Sequence, residues 1–90
     1  MPGQSHGQPR ESKLGVIDGV TVYARRDDEG RAAFVDAIEE DESAIRDIAD
    51  RLQRRGYGVM RKRDPRAGKV YHLFKARWAG DGPPPEDPFG

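Results

Sequence analysis

One stretch of this chain has a helical period, and almost everything around it alternates. Between Glu42 and Arg55 the apolar residues Ile45, Ile48, Ala49 and Leu52 fall on one stripe, while Asp47–Arg51 and Asp50–Arg54 stand four apart in the stabilising order. The acidic run Glu39-Glu40-Asp41-Glu42 suits the positive end of a helix dipole, with Asp41 or Ser43 as cap. Arg51, Arg54 and Arg55 suit the negative end, and Gly56 suits the stop. A single amphipathic helix has no second helix to bury its stripe against, so the flanking segments must supply a sheet.

Those segments read as strands. Asp18-Gly19 sits between the β-prone runs 14–17 and 20–26, a pair suited to a two-residue type I′ turn. Residues 31–38 fit either a helix or a strand. The strand is preferred because Arg25 to Val35 resembles Lys62 to Leu73, as though one basic hairpin occurs twice. After the helix, Tyr57–Arg63 and Lys69–Trp78 flank Asp64-Pro65-Arg66-Ala67-Gly68, where Pro presets a turn and Gly supplies positive φ. The expected fold is a small α+β domain, in shorthand ββαββ, with a four-to-five-strand antiparallel sheet and one helix across one face. The helix stripe should pack on Val20, Val22, Val59, Val70, Phe74 and Trp78. Residues 1–12 and the Pro/acid-rich 79–90 lack apolar content and read as disordered tails around a single domain at 13–78.

Composition removes several kinds of chemistry. With no cysteine there is no disulfide, thiolate metal site or cysteine nucleophile. His6 falls in the N-terminal tail and His72 in the apolar set of the last strand, so the parts of a triad or a two-histidine metal site are missing. There is no Gly-rich phosphate loop and no twelve-residue calcium loop. The sequence therefore implies no cofactor or metal and no enzyme. No apolar run approaches the roughly 20 residues of a membrane helix, and the polar start has no signal-like core, so the expectation is a soluble, cytoplasmic protein.

Formal charge sums to zero but is unevenly placed: residues 27–50 carry −8 and residues 51–78 carry +9. Alternation in the last strand puts Val70, His72, Phe74, Ala76 and Trp78 on one face and Lys69, Tyr71, Leu73, Lys75 and Arg77 on the other. The second set mixes cations with an aromatic ring, which suits phosphates and unstacked bases of single-stranded or structured RNA or DNA. The neighbouring strand adds Arg61 and Arg63, or else Lys62, depending on register, and Arg54 and Arg55 lie near the hairpin in sequence. The expected site is thus Arg54, Arg55, Arg61, Arg63, Lys69, Tyr71, Lys75 and Arg77 in a non-enzymatic nucleic-acid-binding or regulatory accessory protein. The same cations also serve to keep a sheet edge from pairing with other chains. The competing reading is a protein-interaction module, one form of which is a homodimer joining edge strands or opposite charges.

Two partial resemblances bear on this. A helix ending Arg54-Arg55-Gly56 before a basic hairpin looks like the second half of a winged-helix DNA-binding regulator, although that fold needs two further helices where residues 14–26 are β-prone. The segment from Ala33 to Arg77 is similar to half of the sporulation-related repeat that binds peptidoglycan. That family repeats a βαβ unit, and residues 1–32 hold no second helix.

Overall fold

The computed structural model describes residues 11–90. The expected N-terminal tail lies outside them up to position 10. Glu11 and Ser12 already belong to the first strand. Five strands and one helix follow: β1 (Glu11–Ile17), β2 (Val20–Arg26), β3 (Ala32–Glu39), α1 (Glu42–Arg55), β4 (Tyr57–Arg66) and β5 (Lys69–Trp78). The full pattern is βββαββ. The strands expected at 14–17, 20–26 and 31–38 are all present, so the sheet has the upper of the four-to-five strands expected, one more than the shorthand ββαββ writes. All pairs are antiparallel, in the order β1-β2-β3-β5-β4, with β1 and β4 at the edges.

Local chemistry sets these boundaries. Asp18 and Gly19 both have positive φ, as a type I′ turn requires. Asp41 caps α1 by accepting from the Ala44 amide, and the Gly56 amide, at φ 125°, donates back to the Leu52 and Gln53 carbonyls. The second tight turn differs from expectation. Strand pairing runs through Asp64 and Pro65 as far as Arg66–Lys69, and only Ala67 and Gly68, both at positive φ, make the turn. Pro65 is tolerated because β4 is an edge strand, where a missing amide leaves no neighbouring strand unsatisfied.

The helix lies on one face of the sheet. Ile45, Ile48, Ala49 and Leu52 are buried against Val20, Val22, Ala24, Ala32, Val35, Ala37, Tyr57, Phe74 and Ala76, with Val59 and Trp78 packed at the margin. Each large aliphatic side chain so buried contributes about 2 kcal/mol. Val70 does not join this core. It is 37% exposed, because the β4–β5 hairpin projects past the helix. A bulge beside Arg26 turns Ala32 inward with Val35 and Ala37 and leaves Phe34 on the opposite face. The Tyr57 hydroxyl donates to the Ala32 carbonyl at 2.6 Å, and burial pushes its pKa up to about 12.

Residues 79–90, expected as a disordered tail, are instead laid along the domain. The helix packs on β3, β4 and β5, leaving the inward side chains Leu14 and Ile17 near the other edge short of cover. Pro88, fully buried, and Phe89 cover part of that gap and leave a hollow of about 470 Å³ beside Leu14, Ile17 and Arg26. The Ala32 amide donates to the Pro85 carbonyl at 2.8 Å, and the Arg26 guanidinium donates to the Glu86 carbonyl at 2.8 Å. Upstream, the Trp78 indole donates to the Gly82 carbonyl, and Arg51 lies 5.2 Å from the centre of the Phe89 ring. The prolines lower the cost of ordering the segment, and one ring supplies the burial that its composition understates.

Candidate nucleic-acid interface

With α1 and the C-terminal segment on one side, the other face of the sheet has no covering layer among the described residues. Alternation and register place the side chains there in cross-strand rows. Along one row Glu11, Arg25, Phe34, Arg77 and Gly58 are successive partners across β1, β2, β3, β5 and β4. Along the next come Lys13, Tyr23, Asp36, Lys75 and Met60. Further along, Ile38 pairs with Leu73 and Leu73 with Lys62, and then Tyr71 pairs with Asp64 and Lys69 with Arg66.

On this face exposed apolar and cationic side chains interleave around Asp36 on the middle strand. Tyr23, Ile38 and Met60 are 39%, 43% and 50% exposed, which is high for side chains of this size. Lys13, Arg25, Lys62, Lys75 and Arg77 all stand exposed around them. The Arg25 guanidinium lies 4.8 Å from the Phe34 ring centre, holding a cation against an aromatic plane. Acids temper the charge. Glu40 approaches Lys69 at 3.5 Å, and Asp64 both ion-pairs with and accepts a hydrogen bond from Arg66.

A hollow of about 370 Å³ is lined by Glu11, Arg25, Phe34, Asp36, Lys75 and Arg77. Asp36 and the Glu11 carboxyl share this hollow. Desolvation first, then the hydrogen bond and charge of Glu11, raise the Asp36 pKa from 3.8 to about 6, against the opposing pull of Arg25 and Lys75.

The eight residues expected to form one site divide into three places. Lys69, Tyr71, Lys75 and Arg77 share the open face, as the alternation of β5 implied. Arg61 and Arg63 pair with Phe74 and His72 and so belong to the helix side, where they line a shallow groove with Glu42 and Ile45. The two-residue turn fixes this register and sends Lys62 to the open face in their stead. Arg54 and Arg55 stand at the C-terminal end of α1 beside Pro88, Phe89 and Gly90, across the sheet from the open face. Sequence reasoning missed Lys13, Tyr23, Arg25, Phe34 and Asp36. The strict alternation Val20, Val22, Ala24 against Thr21, Tyr23, Arg25 already marked two of them, whereas Phe34 was hidden by the bulge.

The fold and this face together define an α+β sheet domain with one helix-covered and one open side. The strands at 11–26 and 32–39 leave no place for the first two helices of a winged-helix domain. Comparison of the chain with protein-family models, curated proteins and solved structures gives no match. No helix among the described residues is long and apolar enough to cross a membrane, and no group of three or more potential metal ligands occurs among them.

Proposed function

We propose that this protein is a non-enzymatic nucleic-acid-binding or regulatory accessory protein that engages single-stranded or structured RNA or DNA through its open sheet face. The observation that carries this reading is the placement of Lys13, Arg25, Lys62, Lys75 and Arg77 around exposed Tyr23, Ile38 and Met60, with Phe34 and Tyr71 alongside. Cations neutralise phosphates, and flat apolar and aromatic side chains offer planes for unstacked bases. A broad sheet does not enter a duplex groove, which favours single strands, loops and bulges. Fluorescence anisotropy with labelled single-stranded, hairpin and duplex oligonucleotides tests this. Four or five phosphate contacts give a slope of log K against log salt of about −3 to −3.5 on single strands. Weaker binding to duplex is expected, and a salt-insensitive or absent signal on single strands refutes the reading.

A second reading, a protein-interaction module, draws on exposed Val16 on β1 with Ile38 and Met60, together with the unpaired edge of β4. Face-to-face self-association sets like charges against each other, so on this reading a second copy joins through the β4 edge strand. Light scattering showing a salt-insensitive dimer, with no oligonucleotide retained, is the outcome that favours it.

A further inference from the structure

The carboxyl pair in the middle of a cationic surface has no evident use in holding the fold. Asp36 is central on β3, with Tyr23 directly opposite on β2 and Lys75 directly opposite on β5. Arg25 and Arg77 stand one row along, each paired with Phe34, and Glu11 on β1 is paired with Arg25 and shares the hollow with Asp36. Lys13, opposite Tyr23, completes the charged groups around it. Met60, the neighbour beyond Lys75 on β4, carries no charge. Asp36 thus meets three cations, Arg25, Lys75 and Arg77, that line the same hollow. Any phosphodiester seated on those cations is brought up against two carboxyls.

We propose that the Glu11–Asp36 pair is a proton-operated gate on this face, admitting a phosphodiester to Arg25, Lys75 and Arg77 when the pair takes up a proton and opposing it when both carboxyls are ionised. The gate rests on the nucleic-acid reading above and adds its regulation. With Asp36 neutral, the hollow presents the three cations against one carboxylate, and the acid becomes a donor to a phosphate oxygen. With Asp36 ionised, two carboxylates repel the same oxygen. Because bound phosphate favours the protonated acid further, binding and proton uptake reinforce each other, as linkage requires. Asp36, already easy to protonate near pH 6, places the transition within the range a cell can reach.

The test is anisotropy of a labelled 15-nucleotide oligo(U) and oligo(dT) on the full chain from pH 5.5 to 8.0 at constant ionic strength, for the wild type, Asp36→Asn and Glu11→Gln. In parallel, NMR titration follows the Asp36 carboxyl in the free protein. The wild type is expected to bind about sixfold more tightly at pH 5.5 than at 7.5, the effect over this range of one proton whose pKa rises by about one, from about 6, on binding. Asp36→Asn should bind at pH 7.5 as the wild type does at pH 5.5, with most of the pH dependence gone. Glu11→Gln should lie between them. Saturable binding whose pH dependence is the same in wild type and Asp36→Asn overturns the gate while leaving the nucleic-acid reading intact. Absence of binding at every pH, with a normal Asp36 titration, overturns the nucleic-acid reading and the gate with it.

Discussion

Replacing Phe89 by Ala tests whether the C-terminal segment belongs to the domain. A fully buried phenylalanine truncated to alanine costs about 3–5 kcal/mol, and Phe89 is only partly buried, so roughly half of that applies. Loss of the Arg51 contact, 5.2 Å from the ring centre, adds about 0.5 kcal/mol at this exposed position. The expected destabilisation is therefore about 2–3 kcal/mol, which in a domain of this size lowers Tm by roughly 8–24 °C. Thermal unfolding followed by circular dichroism, checked by urea titration, measures it. The substitution should also increase solvent exchange at the Ala32 amide, whose acceptor is the Pro85 carbonyl. A Tm unchanged within about 2 °C, or an Ala32 amide unprotected in the wild type, refutes the claim that this segment completes the core.

Three further substitutions probe other links. Tyr57→Phe removes the donor to the buried Ala32 carbonyl and should cost about 1–2 kcal/mol by urea titration, a loss below about 0.3 kcal/mol counting against that bond. Gly56→Ala strains a residue at φ 125° and sets a Cβ 2.8 Å from the Trp78 ring, so it should destabilise by more than the about 1 kcal/mol usual for a helix-end glycine. Asp36→Asn should raise the urea midpoint at pH 7.5. The folded pKa of Asp36 lies above its unfolded value, so stability from its protonated form is full below about pH 4 and is lost as pH rises through about 6. The variant's advantage should therefore close below pH 4, and an equal advantage at both pH values contradicts the desolvation account.

Much of the architecture was legible because its signals are local. The stripe Ile45, Ile48, Ala49 and Leu52, the cap at Asp41 and the stop at Gly56 define α1 without reference to anything distant. Asp18-Gly19 defined the first turn in the same way. What the chain hid depends on non-local choices. The β4–β5 register hinges on whether Pro65 lies in a turn or in a strand. That depends on β4 being an edge, a property of the whole sheet. From that one choice follow the sorting of Arg61 and Arg63 to the helix side and of Lys62 to the open face. The exposure of Val70 reflects how far the hairpin outruns the helix, and the docking of Phe89 reflects a gap left by a helix too short and too offset to cover five strands. Half of the expected site, the β5 row of Lys69, Tyr71, Lys75 and Arg77, survives because one strand's alternation is a local property. Of the rest, Arg61 and Arg63 depended on that register, and Arg54 and Arg55 were added by proximity in sequence, which the fold does not respect.

The central claim is that the open face, and not the helix end, meets nucleic acid. It is tested most directly by measuring the affinity of a single-stranded 15-mer for the wild type, for Lys75→Glu/Arg77→Glu, and for Arg54→Glu/Arg55→Glu. The four positions are exposed and lie on opposite sides of the sheet, so both double variants should fold. Reversal on the open face is expected to weaken binding by about 30-fold or more, and reversal at the helix end by less than about threefold. Equal losses in the two variants, or a larger loss from the helix end, contradict the account.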